Sequence, residues 1–323
     1  IVMKVLVVAD NLSTFNTKHD CTYIMLQKLA HYGHTIYTCE TKHIHQNNDG
    51  VFVDAYPTDI ALNQLTNWYQ QLNSENLSIL DFNLILMRTD PPYDLEYIYA
   101  TYLLEYASTK GISVMNSPSA LRQNSEKLSI FKYPQYITPT CVTKDKDVMQ
   151  QFIKQHGGSI LKPLDLMSGR GIFYIDEKAT NLSAALELFR LNNNDKPCTL
   201  MIQKRIAEIA NGDKRILIIG DSIIPYCLTR RINPEKDNVR SNIGAGGTYT
   251  IDKLSDKDVE IATAIQADLK KQNIFMAGID VIGEYLTEIN ITSPGGFQEI
   301  TGSGLIDVGE IWYNETIKAI NSL

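Results

Sequence analysis

The amino-acid sequence predicts a mixed α/β (α+β) protein of two or three domains. Short, continuously apolar runs at residues 5–9 and 84–87 have the length and composition of buried parallel strands. Stretches of helical period, residues 21–32 and 255–272 among them, are interleaved with such runs. At 323 residues, the chain is also too long for one ordinary core.

The first strand, 5–9, leads into a polar stretch that ends at Asp20. Residues 21–32 keep helical spacing through Tyr23, Met25, Leu26, Leu29 and Ala30, and Gly33 supplies a C-terminal stop. Residues 35–39 read as a second strand, which completes a βαβ unit with a Rossmann-like crossover. No GxGxxG follows the first strand, so a dinucleotide site has little support. Residues 47–58 read as a loop or hairpin. The strand at 84–87 stops at Arg88-Thr-Asp-Pro-Pro92, because consecutive prolines cannot continue it. Arg88 then stands at the carboxyl end of a strand, where open α/β sheets bind ligands. The alternative is an ordinary surface arginine. Residues 96–110 read as a helix closed by Gly111, and 114–115 as a short strand.

A boundary falls near 119–127. Residues 146–156 read as a helix ending at Gly157-Gly158, and 159–175 as strand, glycine-bearing loop and strand. Lys162 ends an apolar strand, an expensive place for an ammonium without a partner. The loop Ser168-Gly169-Arg170-Gly171 can turn backbone N–H groups toward an anion. It is not a Walker A loop, since no Gly-Lys-Ser/Thr follows. Residues 199–203 form a strand. The charged triplet Asp213-Lys-Arg215 precedes an apolar strand to 219, Asp221-Ser222 turns, and 223–229 returns to Arg230-Arg231. A second glycine-rich loop, 240–247, is headed by Arg240.

The last strands, 277–282 and 286–291, flank a three-residue turn at Gly283-Glu284-Tyr285. That turn sets Asp280 opposite Glu288, with Cβ atoms about 5 Å apart. Glu288 and Asn290 share a face. Facing carboxylates repel unless a cation lies between them. Two carboxylates and an amide, with no sulfur or imidazole, suit Mg²⁺ or Mn²⁺. The competing reading is a hairpin whose polar side faces water.

The net charge of -7 argues against broad nucleic-acid binding, which needs phosphate neutralisation. The five cysteines are scattered without a CxxC pair, as expected in a reducing, cytoplasmic compartment. His43 and His45 read as surface polarity, and there is no HExxH. No apolar run approaches the roughly 18 residues of a membrane span, and the N-terminus lacks a signal-peptide pattern.

Taken together, these motifs resemble the ATP-grasp ligases, and within them the bacterial glutathione synthetase family. The resemblance rests on Leu86-Met-Arg-Thr-Asp-Pro-Pro92, Asn124-Ser-Glu-Lys127, Ile160-Leu-Lys-Pro-Leu-Asp165, Gly212-Asp-Lys-Arg215, Gly244-Ala-Gly-Gly247 and Leu286-Thr-Glu-Ile-Asn-Ile-Thr-Ser-Pro294, in order over nearly the whole chain. It implies an ATP-grasp fold with a Rossmann-like domain at 1–122, a small lid at 123–202 and a C-terminal catalytic part at 203–323. The implied reaction is ATP-dependent ligation of γ-glutamylcysteine and glycine through an acyl phosphate. Lys127 and Lys162 match phosphate-binding lysines, with Ser168, Gly169 and Gly171 in the phosphate loop. Gln203, Lys204 and Ile206 match the hinge beside adenine. Arg215 matches an arginine near the transferred phosphoryl group, and Asp280, Glu288 and Asn290 match the metal ligands. Arg88, Arg230, Arg240, Asn242 and Ser293 are expected to contact substrate. A homo-oligomer, a tetramer, is implied as well. Two segments depart from the family pattern: Asp165-Leu-Met-Ser-Gly-Arg-Gly171, where a glycine pair commonly follows Met, and 295–301, near the expected acceptor pocket. Two alternatives stay open: a related carboxylate–amine ligase with another acceptor, and a nucleotide-binding module without catalysis.

Overall fold

The computed structural model describes residues 2–166, 171–179, 182–189, 196–232 and 247–322. Its first sheet grows from β1 (Lys4–Val8), which pairs in parallel with β2 (Thr35–Cys39) on one side. On the other side it pairs with β7 (Leu84–Met87), which is followed outward by β8 (Ser113–Met115). The crossover helix α1 (Cys21–His31) begins where the Asp20 side chain accepts from Thr22 N, and it carries Lys28 and His31 in its last turn. Both features favour a helix of that polarity. The expected Rossmann-like unit is therefore present. The region expected as a loop or hairpin lies in an antiparallel pair, β3 (Ile44–Asn47) and β4 (Gly50–Ile60), which β5 (Tyr69–Gln71) and β6 (Glu75–Ser78) extend. Helices α2 (Leu95–Thr109) and α3 (Pro118–Gln123) follow.

A second sheet is wholly antiparallel, in the order β11 (Phe173–Ile175), β10 (Ser159–Pro163), β12 (Leu200–Lys204), β9 (Thr140–Thr143). Helices α4 (Lys146–His156) and α5 (Leu182–Phe189) cover one face through Met149, Ile153, Leu182 and Leu186. The third sheet runs β16 (Thr248–Lys253), β15 (Tyr226–Arg231), β13 (Asp213–Ile219), β17 (Met276–Ile282), β18 (Tyr285–Asn290). The short β14 (Ser222–Ile223) pairs with β13. Helix α6 (Asp256–Lys271), started by a Ser255–Asp258 capping box, packs beside this sheet, and α7 (Phe297–Gly302) and α8 (Val308–Asn321) close the chain.

Two turns differ from expectation. The β17–β18 loop has two residues, Gly283 and Glu284, and β18 starts at Tyr285. Gly283 has φ +60°, which suits the first position of a two-residue hairpin. The ladder then pairs Val281 with Leu286 and slips by one residue, so that Asp280 still faces Glu288. Thr287 is the extra residue, and its hydroxyl donates to Asp280 O at 3.1 Å. The second turn sits at Gly220-Asp221 rather than Asp221-Ser222, with Gly220 at φ +55°. The expected single strand 223–229 is divided, because Pro225 has no N–H for the ladder.

The first and third sheets share one core. Leu6 and Ile85 belong to the same buried cluster as Ile216, Ala277 and Ile289. The Asn116 side chain, just after β8, donates to Met276 O and Ile291 O and accepts from Met276 N at 2.9 Å. Helix α8 returns to α1, where Lys28 pairs with Asp307 at 2.7 Å and Glu310 at 3.0 Å, and Tyr32 stacks on Tyr313. The carboxyl ends of β1 and β7 thus face the strands of the third sheet that carry the acidic hairpin.

Candidate active site

The three sheets meet at a cleft of about 860 Å³. Its charged floor follows from strand register. β13 lies between β15 and β17, and the ladder sets Asp213 against Arg230 and Arg215 against Asp280. Residues two apart share a face, so both pairs project from the same side. Arg215 grips the Asp280 carboxylate with two bonds, Nε to Oδ1 at 2.5 Å and an Nη to Oδ2 at 3.0 Å. Arg230 reaches Asp280 Oδ1 at 3.1 Å and Asp213 Oδ2 at 2.6 Å. Burial works against the charged form of Asp280, yet Arg215 and Arg230 outweigh it and hold this carboxyl well below the usual range. For Asp213 burial wins over Arg230, and the carboxyl is pushed up.

Glu288 and Asn290 reach the same cleft from β18. Asn290 Nδ2 donates to Gly278 O at 3.0 Å and Asp280 Oδ2 at 3.2 Å. Glu288 lies 4.0 Å from Lys127 Nζ. Among the described residues no three His, Cys, Asp or Glu side chains cluster. A cation here would therefore have two carboxylates, the Asn290 amide oxygen and whatever oxygens a ligand brings. That donor set fits a hard divalent ion shared with phosphate better than a closed structural site.

The second sheet forms the opposite end. Lys162 is 7% exposed, and Nζ donates to Gln203 Oε1 at 3.0 Å. Burial lowers its pKa, with Glu288 pulling the other way. Lys127 Nζ donates to Leu166 O at 2.7 Å, at the end of the strand-and-turn segment that follows Lys162. Gln203, Lys204 and Ile206 line the cleft where β12 leaves its sheet. Gly171 has φ +70°, and a Cβ there would sit 2.7 Å from Pro163 Cγ, so glycine permits the close return of the loop. Arg88 and Ser293 line the end nearest the first sheet, and the Ser293 hydroxyl donates to Asp90. Ser168, Gly169, Arg240 and Asn242 lie outside the described residues.

Sequence reasoning missed several groups in this cleft. Glu126 Oε1 accepts from Ile291 N at 2.8 Å, Thr292 N at 3.0 Å and Thr292 Oγ1 at 2.9 Å, while Glu126 O accepts from Ile289 N. The carboxylate therefore ties the segment bearing Lys127 to the strand bearing Glu288 and Asn290. Asp213 was visible as part of a charged triplet, but only the register shows that it faces Arg230. Asp20, Asp90 and Glu299 also line the cleft, and Glu299 Oε1 lies 2.7 Å from His19 Nδ1.

This architecture recurs in solved structures. D-cycloserine synthetase DcsG superposes with a TM-score of 0.67 at 9% identity, covering 98% of this chain and 99% of that one. D-alanyl-alanine synthetase A from Vibrio cholerae gives 0.63 at 12% identity, covering 100% and 99%. Such identities speak for the fold alone. With the cleft between its sheets, it is the fold of an ATP-grasp ligase, an ATP-dependent enzyme. The sequence narrows the class further. Residues 3–122 match the prokaryotic glutathione synthetase N-terminal domain and 126–304 its ATP-grasp domain. A glutathione synthetase of Neisseria meningitidis serogroup A is 40% identical over 314 residues, 96% of this chain and 97% of its own. One from Ralstonia nicotianae is 40% identical over 300 residues, 93% and 90%. The chain belongs to the prokaryotic glutathione synthetase family.

Proposed function

We propose that this chain joins γ-glutamylcysteine to glycine with ATP, giving glutathione, ADP and phosphate. The observation that carries the reading is the convergence of Lys127, Lys162, Arg215, Asp280, Glu288 and Asn290 on one cleft. The cysteinyl carboxylate of the donor takes the γ-phosphoryl group, and ADP leaves. The neutral amine of glycine then attacks the acyl carbon, phosphate departs, and the nitrogen loses its proton. Lys127 and Lys162 hold the phosphates, and Arg215 stabilises charge on the transferred group. Gln203, Lys204 and Ile206 seat the adenine, and Ser168, Gly169 and Gly171 are assigned to phosphate binding. Asp280, Glu288 and Asn290 would hold Mg²⁺, with Mn²⁺ as a substitute. When bound, the ion neutralises phosphate charge and orients the nucleotide. Arg88, Arg230, Arg240, Asn242 and Ser293 contact the donor and acceptor. Arg215 restrains Asp280 with a bidentate bond, so each is oriented before substrate arrives.

Three sheets support the division into 1–122, 123–202 and 203–323, with β12 running across the second boundary. A cytoplasmic tetramer belongs to the same reading. No helix among the described residues is long and apolar enough to cross a membrane. Light scattering of the purified protein tests the assembly.

The direct test is mass spectrometry of products from γ-glutamylcysteine, glycine, ATP and Mg²⁺, with other amines in parallel. Glutathione with stoichiometric ADP is expected. Phosphate release without a peptide product would return the chain to nucleotide binding alone. Glu288→Gln should lower turnover by about 10²-fold or more with an unchanged circular-dichroism spectrum. Near-normal turnover would remove Glu288 from the metal site.

A further inference from the structure

The cleft face of the second sheet carries a chain of side chains that ends on Lys162. The ladder sets Gln203 of β12 opposite Thr140 of β9 on one side and opposite Ile160 of β10 on the other. Lys162 is two residues beyond Ile160, so all four share one face. The other face, with Leu161, Leu200 and Ile202, is the one that α4 and α5 cover. Lys162 Nζ donates to Gln203 Oε1 at 3.0 Å, and Gln203 Nε2 donates to Thr140 Oγ1 at 3.1 Å. The Thr140 hydroxyl in turn donates to Thr138 O at 2.8 Å. Gln203 and Thr138 are buried, and Thr140 is half-buried.

The donors and acceptors leave this chain only one direction. The Thr138 carbonyl can only accept, so the Thr140 hydroxyl uses its one proton there and offers Gln203 a lone pair. An amide facing that lone pair turns its NH₂ toward Thr140 and its oxygen toward Lys162. An ammonium has only donors, so the opposite orientation would set NH₂ against NH₃⁺ and the amide oxygen against a hydroxyl with no proton to give. Such mispairing is costly in a buried place. The chain therefore holds the Gln203 oxygen still, and that oxygen takes one of the three N–H bonds of Lys162. It is also a neutral acceptor. A carboxylate in its place would compete with phosphate for the ammonium. An amide oxygen aims the ammonium and leaves its charge intact.

We infer that Thr140 is a positioning residue for Lys162: through the Gln203 amide it fixes the direction of the ammonium without touching the nucleotide. The inference rests on the proposed role of Lys162 as a phosphate ligand. Gln203 and Lys162 line the cleft, and Thr140 stands outside its lining. Loss of the Thr140 hydroxyl therefore weakens the hold on phosphate and leaves the hold on the base unaltered. A general loosening of the second sheet would weaken both.

Calorimetric titration of the full chain with ADP and with adenosine reads this split. The Kd for adenosine divided by the Kd for ADP measures the phosphate share. Thr140→Val keeps the shape and strand preference of the side chain and removes the hydroxyl. It should lower the ratio by about 10-fold, with adenosine binding within about twofold of wild type, since one buried polar contact is left mispaired. Thr140→Ser restores the hydroxyl and should recover most of the ratio. In a Lys162→Met background, Thr140→Val should change the ratio no further, because residues that act through one contact are not additive. Equal weakening of ADP and adenosine would overturn the inference and leave Thr140 an ordinary strand residue. So would additive losses in the double variant, or a serine variant no better than the valine one. If Lys162→Met itself leaves the ratio unchanged, the phosphate role proposed for Lys162 fails. A crystal structure of ligand-free Thr140→Val then decides the positioning separately. Lys162 Nζ still within hydrogen-bond distance of Gln203 overturns it, and departure of Nζ from Gln203 sustains it.

Discussion

Lys162 is a buried ammonium whose hydrogen-bond partner is the neutral Gln203 side chain. Burial depresses its pKa in the ligand-free fold, against the pull of Glu288. Between that depressed value and the unfolded one, the unfolded chain binds more protons. Stability of the ligand-free protein therefore rises with pH across this window. Phosphate binding has the opposite dependence, because it needs the charged form. Nucleotide affinity is expected to fall as pH rises through the same window. In Lys162→Met it should be about 10-fold or more weaker, with a shallower pH slope. Calorimetric titration of ADP from pH 7 to 10 checks this, and parallel slopes would assign the titration elsewhere. Glu126 makes a different demand on its carboxylate. Among the described residues, its three side-chain hydrogen bonds all fall on Oε1. Glutamine presents one such oxygen at the same place, so Glu126→Gln should keep most activity. Glu126→Ala should lower kcat by about 10²-fold, since a displacement near 1 Å at a reacting centre costs that much. Equal loss in both variants would mean that the charge, not the tether, is what matters.

At the scale of the element, β17 shows how a strand serves two neighbours. Gly278 has no side chain, and a Cβ there would lie 2.8 Å from both Arg215 Cδ and Pro294 Cβ. The glycine lets Arg215 lie across β17 toward Asp280 while the chain after β18 packs over it. Gly278→Ala is expected to displace the guanidinium and lower turnover by about 10-fold or more, with nucleotide binding retained. Steady-state kinetics beside ADP titration separates the two effects, and unchanged kcat would show that Arg215 has room to spare. The hairpin also shows where local patterning stops being informative. Its strands and the facing of Asp280 by Glu288 were legible from apolar runs broken by acidic residues. The turn is one residue shorter than the three its pattern predicts, and a bulge at Thr287 restores the register. A bulge depends on how Asp280 O and Thr287 Oγ1 meet across the ladder, and alternation carries no sign of that.

Across the whole molecule, α8 holds the third sheet to the first. Gly309 lies against α1, and a Cβ there would sit 2.6 Å from Ile24 Cγ2. Trp312 is fully buried nearby, and Tyr313 stacks on Tyr32 with ring centres 3.8 Å apart. Gly309→Val should separate the helices at a cost of about 1–3 kcal/mol. Thermal unfolding should show a lower midpoint, and an unchanged midpoint would mean that the helices slide apart without loss. Sequence reasoning assigned no element to this region or to β16, whose edge position leaves most of its residues exposed and without an apolar run. Strands β1, β2 and β7 and helix α4 were legible, because burial on both faces, or a cap followed by an amphipathic period, leaves a local pattern.

The order of motifs along the chain determined the family, the ATP chemistry and the oxygen-donor hairpin, since each depends on residue types close together in sequence. The pairing of Asp213 with Arg230, the clamp from Glu126 to Thr292 and the bond from Arg88 to Thr22 were decided only by tertiary structure. Their partners lie 17, 166 and 66 residues away, and register and burial, which no local pattern records, bring them together.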